Sequence, residues 1–115
     1  MWEVEALKHH CLSLKATTCD YPFGEHLLCF RVGGKIYAIC DLKDAEVNLK
    51  AEPNTAVRLR DEWPDAVRPG YHMNKKHWNT VDLRAGLPAE TMARMVEESY
   101  RLVFASLPKK VRESI

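Results

Sequence analysis

Two apolar runs separated by Gly33-Gly34 constrain this chain most. Residues 27–32 and 35–42 are strand-like, and a two-residue Gly-Gly loop suits the type I′ or II′ turn of an antiparallel hairpin. With a tight turn, Val32 faces Lys35 and Cys29 faces Ala38. That register puts Leu27, Cys29, Arg31, Ile36, Ala38 and Cys40 on one face and Leu28, Phe30, Val32, Lys35, Tyr37 and Ile39 on the other. Cys29 and Cys40 are then diagonal neighbours, too far apart for easy bridging. Both faces are mainly apolar near the base, which predicts helices covering the sheet there. Arg31 and Lys35 mark the exposed tip.

The remaining pattern supplies partners for this hairpin. Residues 2–15 read as an amphipathic helix with Val4, Leu7, Cys11 and Leu14 on one face. Residues 17–24 read as a connection, broken by Pro22 and Gly24. A third strand runs over 45–51. A helix then starts at Glu52-Pro53-Asn54, with either Pro53 at its first position or Asn54 as its cap. Ala56, Leu59 and Trp63 share a face of that helix, and Pro64 stops it. Strands follow over 67–73 and 78–83. The last helix opens at Pro88 and Glu90 and buries Met92, Met95, Val96, Ser99, Val103 and Leu107; Pro108 ends it before a basic tail over 109–115. Long parallel crossovers are missing. The expected fold is α+β, one domain over 1–115: a single antiparallel sheet of about five strands packed with an N-terminal, a middle and a C-terminal helix.

No apolar run approaches the roughly 20 residues of a membrane span, so no membrane partner is expected. The start, Met1-Trp2-Glu3-Val4-Glu5, lacks the basic region and apolar core of a signal peptide. A cytoplasmic monomer is the expectation. Cysteines at 11, 19, 29 and 40 form no Cys-x-x-Cys pair. They are expected as free, mostly buried thiols rather than zinc ligands. His72 and His77 are five apart and His9 and His10 adjacent, which is poor spacing for a metal site, and no cofactor is expected.

Net charge is only +1 but uneven: residues 1–65 hold 8 basic and 11 acidic side chains, and residues 66–115 hold 9 and 5. Affinity for a polyanion would have to come from a local patch. The densest candidate is Pro69-Gly70-Tyr71-His72-Met73-Asn74-Lys75-Lys76-His77-Trp78-Asn79-Thr80-Val81. Pro-Gly marks a turn, and Trp78 onward alternates like a half-buried strand. The segment reads as strand, basic corner, strand. Arg31, Lys35, Arg68, Asn74, Lys75, Lys76, His77, Lys109 and Lys110 are the candidate contacts to duplex phosphates, from projecting hairpin tips and the tail. Asn74 and Asn79 are candidates for base edges or sugar. The competing reading makes the corner an exposed turn in which Asn74 bonds its own backbone. A second function class is a small-molecule or protein-binding module with a polar pocket around Tyr71, His72, Asn74 and Trp78. An enzyme of unknown chemistry is third: no nucleophile elbow, phosphate-binding loop or dinucleotide fingerprint is present, and no catalytic residue is assigned.

Four blocks together carry a family resemblance: Asp20-Tyr21-Pro22-Phe23-Gly24, Val47-Asn48-Leu49-Lys50, the corner at 69–81, and Leu107-Pro108-Lys109-Lys110. In this order, spread over nearly the whole chain, they resemble the MmcQ/YjbR family of small bacterial proteins. The resemblance implies a compact α/β domain of frataxin-like (CyaY-like) topology and a proposed double-wing mode of DNA binding. Contacts mostly to phosphate would make binding of double-stranded DNA weak and salt-dependent. It names no catalytic residue. Iron binding of the frataxin kind is not implied, because the acidic residues here are scattered along the chain.

Overall fold

The computed structural model describes residues 2–70 and 73–115. Among the described residues, six strands form one antiparallel sheet: β1 (Thr18–Asp20), β2 (Leu27–Val32), β3 (Lys35–Asp41), β4 (Glu46–Lys50), β5 (Val67–Pro69) and β6 (Trp78–Asp82), in the spatial order β1-β2-β3-β4-β6-β5. The helices are α1 (Val4–Ser13), α2 (Pro53–Glu62), α3 (Ala89–Ala105) and the short α4 (Lys109–Glu113). The α+β expectation holds. Among the described residues, no helix is long and apolar enough to cross a membrane.

Three elements differ from the sequence reading. β5 ends at Pro69, short of the strand expected over 67–73, of which Tyr71 and His72 lie outside the described residues. β1 lies where a connection was expected. All three of its residues are exposed, so no alternation announces it; it pairs with β2 at the sheet edge. The expected tail at 109–115 contains α4, whose Val111 packs against the core. Pro53 takes the first position of α2, with Glu52 rather than Asn54 before it.

The Gly33-Gly34 turn is confirmed, with φ of +56° and +84° that suit two glycines. Val32 faces Lys35 and Arg31 faces Ile36, but the ladder then shifts, so that Phe30 faces Ala38 and Cys29 faces Ile39. Tyr37 is the extra residue of this bulge. The predicted Cys29–Ala38 pairing is therefore off by one, and the predicted faces change with it. Cys40 pairs with Leu28 and joins the core, whereas Cys29 shares the opposite face with Ile39. The two thiols sit on opposite faces of the sheet.

That core lies on one face only. Leu28, Phe30, Val32, Ala38, Cys40, Val47, Leu49 and Val81 meet Leu7 and Cys11 of α1 and Met92, Met95, Val96 and Val103 of α3. The expectation of helices over both faces is corrected: the other face is a row running Asp20, Cys29, Ile39, Asn48, Thr80 and Arg68 across all six strands.

Ser99 joins α3 to the sheet where the bulge leaves a gap. Its Oγ donates to the Tyr37 carbonyl at 2.5 Å and accepts the Lys50 amide at 2.8 Å, fully buried. A hydroxyl thus completes the β3–β4 ladder at its end, which explains a polar residue in an apolar stripe.

Candidate functional site

Strand polarity decides which turns are neighbours. β3 starts at the Gly33-Gly34 turn, β4 runs back to end at Lys50, and Lys50 pairs with Trp78 at the start of β6. The first hairpin tip and the 73–77 corner therefore lie at the same end of the sheet. Three strand spacings separate their midlines, roughly 14 Å. α4 closes the same end. A Cβ built on Gly33 would fall 2.6 Å from a Leu107 methyl and 3.1 Å from Val111. Lys109 and Lys110 thus flank the first turn.

The corner is held by its own backbone. Asn74 Oδ1 accepts the Lys76 amide at 2.9 Å, and the Asn74 carbonyl accepts the amides of His77 at 3.1 Å and Trp78 at 2.9 Å. The turn-supporting reading of Asn74 is the one the structure gives. Arg60 of α2 donates to the Lys75 carbonyl at 3.1 Å. Gly70 lies against β6, where a Cβ would come within 2.9 Å of Trp78 Cβ and 3.0 Å of its carbonyl oxygen. These contacts leave the side chains of Lys75 and Lys76 exposed.

The other basic candidates are more engaged. Arg31 Nε donates to Asp20 at 3.0 Å and a terminal nitrogen donates to the Gly34 carbonyl at 3.1 Å. Arg68 reaches across β6 to an ion pair with Glu46. Lys35 Nζ lies 3.4 Å from the Ser106 carbonyl at the end of α3. Lys109 pairs with Glu113 at 3.8 Å. Asn79 is not available for base edges: it is 2 % exposed and its amide donates to the Ala56 carbonyl at 3.2 Å. Arg68 stands on the open face rather than at the tip. The alternative pocket cannot be assembled, since Tyr71 and His72 lie outside the described residues; Asn74 is exposed and Trp78 half-buried.

The opposite end of the sheet is acidic. Asp41, Glu46 and Asp82 stand side by side on adjacent strands, and Glu25, Asp44 and Asp65 lie in the connections there. Among the described residues, no three His, Cys, Asp or Glu side chains gather as a metal site. The thiols offer no nucleophile in the core. Burial pushes Cys11 and Cys40 up to about 12, and Cys29 is also raised by burial. At neutral pH they are uncharged and unreactive, and Cys19 is the exposed one.

A groove that the sequence did not announce runs between α2 and α3 over the sheet, with a volume of about 490 Å³. Leu49, Leu59, Trp63, Val81 and Met95 form its apolar floor and wall. Arg58, Glu62, Arg94 and Glu98 stand on its rim. Residues 36 positions apart, such as Arg58 and Arg94, meet here only through the fold, so no local spacing could have signalled it.

Comparison with known proteins agrees with this architecture. The chain is 35% identical to a Deinococcus radiodurans protein, DR2400, whose crystal structure superposes with a TM-score of 0.92 over 99% of this chain and 88% of that one. A Pseudomonas syringae protein shares the fold at a TM-score of 0.76 and 24% identity, over 89% of this chain and 99% of its own. Among curated proteins, the chain is 30% identical to the uncharacterized YbdF of Escherichia coli O157:H7, over 96% of this chain and 92% of that one. It is 40% identical to the uncharacterized YjbR of Escherichia coli K12, over 58% and 56%. The YjbR family model matches residues 12–102, and with most of its length so matched the chain belongs to the YjbR family.

Proposed function

We propose that this chain binds duplex nucleic acid without an enzymatic step, gripping phosphates with the basic end of its sheet. The observation that carries the reading is the convergence of Lys35, Lys75, Lys76, His77, Lys109 and Lys110 at one end while Asp41, Glu46 and Asp82 line the other. Two turns about 14 Å apart match a groove about 12 Å wide. One chain supplies both, so a monomer suffices. Arg31 joins them by exchanging Asp20 for a phosphate, because an exposed ion pair is worth only about 0–1 kcal/mol. The contacts are point charges without fixed geometry, so sequence discrimination is small.

The test is a salt titration of a fluorescent duplex, read by anisotropy. Affinity of about 10⁻⁴ to 10⁻⁶ M at physiological salt is expected, falling with a log–log slope of about −0.9 per phosphate neutralised. Lys75→Ala with Lys76→Ala lowers that slope by up to about two units. Absence of binding by the unsubstituted protein at ~20 mM salt, where screening is weak, overturns the reading.

A further inference from the structure

The groove between α2 and α3 belongs to neither hairpin. Its volume of about 490 Å³ falls in the range of roughly 300–1,000 Å³ typical of small-molecule sites. Its floor is apolar and its wall is the Trp63 indole, which together suit a flat ring or short chain. The rim charges are not balanced. Glu98 takes Arg101 through two contacts, at 2.7 and 3.2 Å. Glu62 takes Arg58 at 3.0 Å. Both carboxylates of the rim are thus matched by arginines. Arg94 and Lys50 also line the groove, and among the described residues neither enters an ion pair. Arg94 is exposed at a groove that Leu49, Leu59, Val81 and Met95 also line. An arginine beside a dry surface holds a carboxylate in a bidentate pair more strongly than a neutral oxygen.

We propose that this groove is a binding site for a small aryl or alkyl carboxylate. The apolar body lies on Leu59, Val81 and Met95 against Trp63, and the carboxylate meets Arg94. This site is independent of the phosphate-gripping end, and its test involves no nucleic acid.

The probe is 3-phenylpropionate, added to ¹⁵N-labelled protein while the indole N–H resonances are followed. The Trp63 resonance, assigned with Trp63→Phe, is expected to move saturably with a Kd on the order of 1 mM or tighter. Trp2 and Trp78 should stay in place. The neutral 3-phenylpropanamide and the Arg94→Gln variant are each expected to bind at least about fivefold more weakly. The unchanged Trp2 and Trp78 resonances report that the variant is folded. If it is not folded, the amide comparison on the unsubstituted protein decides alone. No saturable movement of Trp63 up to ~20 mM overturns the proposal, as does equal binding of amide and carboxylate, which would make the groove merely greasy.

Discussion

The two ends of the sheet are built from the same strands and are opposite in charge and in construction. At the basic end, lysines stand on turns that are tied down from behind: Ser99 fills the β3–β4 gap, Gly70 lies against Trp78, Asn74 folds the corner and Arg60 braces it. At the acidic end, Asp41 accepts the amides of Lys43 and Asp44 at 3.0 and 3.1 Å, and Asp82 accepts that of Arg84 at 2.9 Å. There the charged side chains are themselves the turn-makers. Lys75 and Lys76 can therefore be removed at little structural cost, whereas those carboxylates cannot. A charge free of structural duty is the one available to a partner.

The largest expected effect tests the underpinning. Ser99→Ala leaves the buried Tyr37 carbonyl and the part-buried Lys50 amide without their bridging hydroxyl, so it should lower stability by about 2–6 kcal/mol, at about 1–3 kcal/mol for each group stranded. A denaturant midpoint unchanged by the substitution would mean the basic end is not held from behind. Alkaline pH comes next. Unfolded thiols titrate near 9.0, while folded Cys11 and Cys40 are held up to about 12 by burial. Their contribution is complete below pH 9 and lost as pH rises toward 12, by up to about 1.4 kcal/mol per pH unit for each thiol. Cys11→Ala and Cys40→Ala should each flatten that slope in pH-dependent unfolding. Both lie in the core shared by the two ends, so this loss should leave the comparison between them intact.

Gly70→Ala and Asn74→Ala act at the corner alone. The first must push a Cβ into Trp78 and should cost about 1–3 kcal/mol, as overpacking does. The second removes one turn bond and should cost about 1 kcal/mol. Both should weaken duplex binding as well, because they displace Lys75 and Lys76; weakened binding at full stability would instead make Asn74 a direct contact. The smallest effect sharpens the contrast most. Lys75→Ala with Lys76→Ala should change stability by less than about 0.5 kcal/mol, whereas Asp41→Ala at the other end should cost about 1 kcal/mol by freeing two amides. Thermal unfolding of the pair of variants separates them.

Much of this fold was legible because local rules agreed. Gly33-Gly34 set the hairpin, Pro53 and Pro108 bounded helices, and the Met92-to-Val103 stripe identified the buried face of α3. The bulge at Tyr37 was not legible, since the hydroxyl that fills its gap arrives 62 residues later in the chain. Nor was the open face: with apolar side chains on both sides of β2 and β3, the pattern does not say which side a helix covers. β1 failed for the opposite reason, having no buried residue at all. Of the site, the lysines were readable as residues, but their state was not. The pairing of Arg31 with Asp20 and of Arg68 with Glu46, and the burial of Asn79, depend on register across strands.

The most direct measurement of the central claim is a map of backbone amide shifts as a 12-base-pair duplex is added at low salt. Saturable movements are expected at Gly33, Gly34, Lys75, Lys76 and Lys110, with Asp41, Asp44 and Glu46 unmoved. Movements centred on the acidic end, or spread evenly over both, would contradict it.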